Sequence, residues 1–360
     1  MILFRYVARR VFLATLASLA GVVAIYLAVD FVDNASAFAG PGWGWAVLEL
    51  YANKSAVVAY QTAPAALLLG AAVATSGLRQ TREWTALRSV GLGPWRLAGP
   101  VLAVALLFGG AAALLNDLVG VRAAERAEEL QATRFQRGGS ARRWQATRQP
   151  KRWFRSPDGR RIYHLRGALP GGGFEGVTVL EVTPAFALAR RIDAAAMRPS
   201  ERGWVLSDVE DRAFLADGSV RLERALERRY EFTEPPEAFA LVPGRPSQLR
   251  YAVLTTQLRL RRELGQRVAD FELERHHRGA AVLVGAPAAL LALALALRPN
   301  RRGHVAAALL EAVGISLALW SAQGVALAMG LSGRIPPAAA AWAPFLLFSG
   351  AALLALRRVR

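Results

Sequence analysis

The chain has 360 residues, 54% of them hydrophobic, no cysteine and a formal net charge of +18. The lack of cysteine excludes disulfides and thiolate metal sites, so any domain outside a membrane must hold together by its own apolar core. The basic residues are divided between the ends of apolar runs and a polar middle region and form no contiguous stripe, which excludes nucleic acid as the natural partner. Arginine almost entirely replaces lysine, as a GC-rich coding bias would produce.

Apolar segments dominate the rest. Three precede and three follow the polar region: Val11 to Val29, Ala56 to Gly77, Leu97 to Leu115, Ala280 to Leu297, Val305 to Met329 and Ala338 to Leu356. Each is about 18 to 25 residues long, and at 1.5 Å per residue such a helix crosses a hydrocarbon core of roughly 30 Å. None contains Lys or Arg. The first run is long enough to stay as an anchor and lacks a small-residue cleavage motif, so no cleavable signal is expected. Small residues at Gly70 with Ala74 and at Gly109 with Ala113 are expected where helices pack closely.

Between the second and third runs lies the segment Arg79 to Arg96. Thr81 reads as an N-cap, Glu83 suits the positive end of a helix, and Gly91 with Gly93-Pro94 ends it. Trp84, Leu87 and Arg88 then lie near one face at i, i+3 and i+4. An exposed Trp-Leu pair on such a helix fits either a protein partner or the surface of the bilayer.

The polar region reads as β. Arg160 to Leu165 and Val177 to Val182 mix β-branched and aromatic residues over strand lengths. Turn signals separate the strands at Ser156-Pro157-Asp158-Gly159, Pro170-Gly171-Gly172-Gly173, Glu201-Arg202-Gly203 and Ala216-Asp217-Gly218. Short strands at this spacing predict a sandwich or jelly-roll-like sheet, with Leu118 to Arg137 and Leu254 to Arg275 as helical connectors. The expected fold class is therefore an α-helical membrane protein with six transmembrane helices, 3+3, and an inserted all-β domain. The expected divisions are 1–118 for the first three spans, including a short helix at about 80–92, 119–277 for the insert with its connectors, and 278–360 for the last three spans. Ile162, Val177, Val179, Trp204 and Leu206 are its expected inward residues, either as plain core or as the lining of an apolar groove.

Within the later spans Glu311 and Gln323 stand out, because an ionisable or polar group in hydrocarbon normally faces protein or water. They suit a substrate or gating role, or a structural bond such as an ion pair from Glu311 to Arg301 or Arg302. Orientation follows from arginine placement. Arg5, Arg9, Arg10, Arg79, Arg82, Arg88, Arg96, Arg298, Arg301, Arg302, Arg357, Arg358 and Arg360 all fall on one side if every span crosses, and the positive-inside rule makes that side cytoplasmic. Both termini are then cytoplasmic and the insert is external.

Catalytic signatures are missing. His276 and His277 are adjacent and point apart on a helix, so they cannot chelate one metal. Neither H-E-x-x-H, G-x-S-x-G nor a G-x-x-x-x-G-K-[ST] phosphate loop occurs, so nucleotide energy would have to arrive through a partner. No cofactor is expected.

The layout, together with Arg5-Tyr6 opening the first span, Phe31-Val32-Asp33 closing it, Arg79-Gln80-Thr81-Arg82-Glu83 followed by Ser89-Val90-Gly91, Trp204-Val205-Leu206 in the sheet and Gly333-Arg334-Ile335-Pro336-Pro337 before the last span, resembles the LptF/LptG (YjgP/YjgQ) permeases of lipopolysaccharide export. The resemblance spans essentially the whole chain. It implies one half of an inner-membrane heterodimer that extracts lipopolysaccharide and passes it to a periplasmic jelly-roll bridge protein, driven by a cytoplasmic ABC ATPase dimer. It makes Thr81, Arg82, Glu83, Trp84, Leu87 and Arg88 a coupling helix seated in the ATPase, with Glu83 matching an acidic contact residue. For lipid phosphate it leaves only Lys54, since the segment after span one reads Asp30-Phe31-Val32-Asp33-Asn34. An intramembrane lipid-modifying enzyme and a non-transporting envelope scaffold are the other classes this sequence could serve.

Overall fold

The computed structural model describes residues 2–38, 42–135, 153–156, 158–169, 172–200, 203–215, 218–232, 234, 239, 245–263, 265–298 and 305–359. Arg301, Arg302 and Arg360, and the turn residues Pro157, Pro170, Gly171, Glu201, Arg202, Ala216 and Asp217, lie outside them. The chain divides into two compact units, one of Met1–Trp144, Pro246–Leu254 and Ala269–Arg360, the other of Gln145–Arg245 and Thr255–Val268.

The first unit is helical. Its elements are α1 (Ile2–Asn34), α2 (Trp43–Gln80), α3 (Glu83–Ser89), α4 (Pro94–Leu115), a π-helical turn (Asn116–Gly120) and α5 (Val121–Thr133), and, after the insert, α7 (Ala269–Ala296), α8 (Val305–Leu331) and α9 (Pro337–Arg358). Helix α6 (Tyr251–Glu263) belongs by its first four residues to this unit and by the rest to the other. Among the described residues 6 helical segments are long and apolar enough to cross a membrane. The protein is a multi-pass membrane protein with an all-β insert.

Helix α7 is the centre of the unit, packed on α9, α2 and α4. Its inner face is mostly alanine, from Ala286 through Ala288, Ala289, Ala292 and Ala294, joined by Val284, Leu293 and Leu297, which lets neighbouring backbones approach. Close approach explains the glycines too. A Cβ on Gly70 would lie 2.4 Å from Thr15, and one on Gly109 only 2.0 Å from the carbonyl oxygen of Val282.

Helix α2 is much longer than its apolar run. The 38 residues of α2 extend well before Ala56, because Val47 and Leu50 make an apolar stripe. That stripe packs with Phe38, Ala127, Leu130 and Phe135. Arg126 of α5 closes the same contact on Glu49 at 2.7 Å. The π turn joins α4 to α5 where they meet the returning chain: the Asp117 carboxylate accepts the Tyr251 N–H at 2.6 Å and its carbonyl accepts the Arg250 Nε–H at 3.2 Å.

The second unit is a 6-stranded antiparallel sheet in sequence order. Its strands are β1 (Trp153–Arg155), β2 (Arg161–Ala168), β3 (Phe174–Val182), β4 (Leu188–Ser200), β5 (Gly203–Phe214) and β6 (Val220–Tyr230). One face is the core: Tyr163, Leu165, Val177, Val179, Ile192, Ala194, Met197, Trp204, Leu206 and Val209, covered by Phe232 and Phe239. Phe239 sits edge-on to Phe154, Tyr163 and Trp204, and at a steep angle to Phe174.

A line of residues interrupts the ladder in each of four strand pairs without changing register: Arg166, Gly176, Ala195, Asp208 and Leu226 are missing from pairings that resume on both sides. Gly176 and Asp208 take φ of 58° and 51° there. A left-handed residue reverses the side-chain alternation, so β5 faces Trp204 and Leu206 inward before the line and Val209 after it.

Candidate functional site

The α2–α4 connection is the most built part of the first unit outside its spans. Thr81 is not the N-cap of α3. It closes α2, its amide bonding Gly77 O and its hydroxyl reaching the same carbonyl at 3.0 Å. Arg82 follows in the left-handed region at φ 57°, which breaks the helix, and α3 starts at Glu83.

Glu83 is heavily engaged. Its carboxylate accepts bonds from Thr81 Oγ1 at 2.7 Å, from the Tyr6 hydroxyl at 2.8 Å and from Arg10 Nη1 at 3.0 and 3.1 Å to its two oxygens. Desolvation alone would raise the carboxyl, but the Thr81 and Tyr6 bonds and the Arg10 guanidinium outweigh it and hold it below the usual carboxylate range. Tyr6 and Arg10 are the partners that sequence reading missed. Their i, i+4 spacing on one face of α1 was the signal available.

Trp84 points inward. It is 5% exposed and belongs to the core of the spans, with Leu87 partly buried against that cluster. The expectation of an exposed Trp-Leu pair is thus corrected: an indole removes some 150–250 Å² of surface from water when buried, and the chain's own spans were near enough to take it. The exposed side of this segment is instead Arg82, Thr85, Ala86, Arg88, Ser89 and Val90. Arg79, one turn earlier, reaches the end of α7, its Nη1 donating to the carbonyls of Ala296 at 3.0 Å and Arg298 at 2.6 Å. Beside α3, Arg88, Leu92, Trp95, Leu356 and Arg357 line a cavity of about 390 Å³.

The other sequence-derived residues are dispersed. Lys54 bonds Asp30 at 2.6 Å, and the Tyr51 hydroxyl donates to the same carboxylate oxygen at 2.7 Å. The only lysine near the ends of the first two spans is therefore neutralised within the chain. Glu311 lies on the exposed side of α8 and Gln323 is half-buried farther along it. In the sheet Val177, Val179, Trp204 and Leu206 share the core face and are almost wholly buried, and the Trp204 indole donates to Glu234 O at 2.8 Å. Ile162 alternates to the opposite face, paired with Leu180, while Tyr163 takes the inward place.

A family model described as "Lipopolysaccharide export system permease LptF/LptG" matches residues 5–358. The chain belongs to this family. No curated protein matches it in sequence. As a member of LptF/LptG it is a transport permease of lipopolysaccharide export, and both the α2–α4 connection and the β insert fall inside the matched region.

Proposed function

We propose that this LptF/LptG chain is one permease half of an ABC-type exporter that lifts lipopolysaccharide out of the inner membrane and passes it to a periplasmic jelly-roll bridge, powered by a separate cytoplasmic ATPase dimer. The observation that supports this most is α3: a short helix outside the spans, anchored inward by Glu83 and Trp84, with Arg82, Thr85, Ala86, Arg88 and Ser89 left outward for an ATPase. In this reading α3 with Thr81 and Leu87 is the coupling helix. The arginine ends of the spans are cytoplasmic and the sheet is periplasmic.

The paired permease covers the exposed faces of α1 and α8. Glu311 and Gln323 on α8 then meet protein or a wet lumen, as groups of their polarity require. Lys54 contributes to lipid phosphate only by exchanging Asp30 for it. Acyl chains travel on the apolar face of the sheet, over Val177, Val179, Trp204 and Leu206, because exposing them to water costs about 0.8 kcal/mol per methylene. Ile162, on the other face, contributes through the sheet and not by contact. Those four side chains are closed under Phe232 and Phe239, so lipid reaches them only when that aromatic cover is displaced.

The test is a photo-crosslinking residue at Val179 in the full chain, reconstituted with its paired permease and ATPase in lipopolysaccharide-containing vesicles. Capture of lipopolysaccharide is expected only with ATP. Capture without ATP, or none while transport proceeds, would show that the lipid takes another route.

A further inference from the structure

The interruptions of the ladder fall side by side, so the sheet carries a crease that crosses β2 to β6. With strands about 4.8 Å apart it runs for about 19 Å. At the crease the inward residues are three apart instead of two, as with Leu206 and Val209 or Ala194 and Met197. Two successive residues therefore stand on the outer face of each strand, Ser207 with Asp208 on β5 and Ala195 with Ala196 on β4. The interrupting residues lie beside a directly paired row that runs from His164 on β2 to Arg224 on β6, and between them is a groove of about 660 Å³.

The floor of the groove is small, Gly176 and Ala195, and its ends are polar. Arg166 lies across Gly176, where a Cβ would stand 2.8 Å from the arginine Nε. Asp208 holds a φ of 51° without being glycine, a strain of order 1 kcal/mol of the kind that gathers at binding sites. Among the described residues neither Arg166 nor Asp208 has a hydrogen bond or an ion pair. On the same strand as Asp208, Glu210 holds Arg224 at 2.6 Å and so presents an acceptor and a donor side by side. At the β1 end the row continues into Trp153, which pairs with His164 in register, lies against its ring with centroids 4.5 Å apart and stays 57% exposed.

These groups select among ligands. An acyl chain would strip water from Arg166 and Asp208 and return no hydrogen bond. A phosphate would meet the carboxylates of Asp193, Asp208 and Glu210, which repel it. A sugar hydroxyl both donates and accepts, so carboxylate beside guanidinium satisfies it. An exposed indole, for its part, takes the apolar C–H face of a sugar ring.

We infer that the crease binds the saccharide part of lipopolysaccharide: Trp153 packs against a sugar ring at one end, and Arg166, Asp208 and the Glu210–Arg224 pair bond hydroxyls along the groove. This rests on the reading of the chain as a lipopolysaccharide permease, and it gives the outer face of the sheet a task separate from the acyl path on the core face.

The test uses the full chain in detergent and three probes: core oligosaccharide cut from lipopolysaccharide by mild acid and dephosphorylated, lipid A, and inorganic phosphate. Oligosaccharide binding is titrated by saturation transfer to its sugar protons, and the other two probes enter as competitors. The parent should bind the oligosaccharide, and neither competitor should displace it. Arg166→Gln and Asp208→Asn should each weaken binding by about tenfold, the scale of one charge-assisted hydrogen bond. Ala195→Trp, which fills the floor, should abolish it. Asn adopts the left-handed region as Asp does, so Asp208→Asn keeps the crease, and an unchanged melting temperature separates loss of contact from loss of fold. Arg166 is exposed, so its substitution decides the matter where Ala195→Trp unsettles the sheet. No binding by the parent, a polar substitution that leaves binding unaltered, or displacement by lipid A or phosphate would overturn the inference. Release of lipopolysaccharide is measured in parallel with the paired permease, the ATPase and ATP. Release by a parent chain that fails to bind the oligosaccharide would remove the saccharide site alone. Binding as expected by a chain that releases nothing would leave the saccharide site standing and remove the permease reading.

Discussion

Val282 O lies 2.0 Å from where a Cβ on Gly109 would stand, and the obstructing atom is backbone, so no rotamer change can relieve it. Gly99, on the same helix, meets only the end of the Phe4 ring at 3.9 Å. The two glycines should therefore respond with opposite signs to alanine. Gly109→Ala must push α4 from α7 and is expected to destabilise by about 1–3 kcal/mol. Gly99→Ala gains helix propensity and should be neutral or stabilising by up to about 1 kcal/mol. Thermal unfolding of both variants in one detergent checks this, and equal effects would mean the α4–α7 contact is loose. The small residues at Gly70 and Gly109 were legible in the sequence as packing positions. Their partners, Thr15 and Val282, were not, because a small-residue pattern marks a contact without naming what it meets.

Strands of the insert announce themselves by β-branched runs and turn residues, and β2 and β3 fall on the segments read that way. Which face of a strand turns inward was less legible. Arg161 to Leu165 offers Ile162 to one face and Tyr163 with Leu165 to the other, and alternation alone does not choose. The choice belongs to tertiary partners such as Phe232 and Phe239, far along the chain. Charge pairs tie the later strands, β4 to β6, together. Asp211 on β5, 4% exposed at its side chain, accepts Arg190 Nε and Nη2 at 2.8 and 2.6 Å and the Tyr230 hydroxyl at 2.8 Å. Burial by itself would raise its carboxyl, but Arg190 and Tyr230 prevail and the carboxyl lies below the usual carboxylate range.

A carboxyl whose pKa is lower folded than unfolded stabilises the fold above its unfolded value, about 4, and loses that contribution as pH falls through the folded value. Asp193, held down in the same way against desolvation by Arg191 and Thr178, adds to the effect. Amide protection over β4–β6, taken as the exchange rate relative to the intrinsic rate at each pH, should be high at neutral pH and should fall on acidification below about 4. Asp211→Asn removes the nearer counter-charge of Arg190 and leaves only Glu181 at 3.9 Å, so the variant is expected to exchange faster at neutral pH, with its difference from the parent shrinking as pH falls. Parallel pH profiles for the two proteins would detach Asp211 from acid stability.

At the scale of the molecule, six spans and an inserted sheet were readable because hydropathy and strand alternation are local signals, whereas the side chains that fasten α3 depend on helices brought together from distant positions. The contacts now give the arginine asymmetry a physical frame. Arg10 meets Glu83, Arg79 meets the carbonyl of Arg298, and Arg88 and Arg357 line one cavity, so the arginine-bearing ends of α1, α2, α4, α7 and α9 lie together at one end of the helical unit. The chain leaves that unit for the sheet after α5, from the opposite terminus of the third span. In the orientation proposed above, the arginine end is the cytoplasmic one, as the positive-inside rule expects. The chain contains no cysteine, so single probes can be introduced without background. Leu226, 86% exposed on β6, and Val90, 71% exposed beside α3, are the sites to use, since neither makes a contact whose loss would disturb the fold. In intact spheroplasts an impermeant maleimide is expected to label Leu226→Cys and to leave Val90→Cys untouched until the membrane is broken. Reversed labelling would invert the orientation and remove α3 from the reach of any cytoplasmic ATPase. Labelling of both in intact cells would mean that the second and third spans do not cross as a pair, and the six-span topology itself would have to be redrawn.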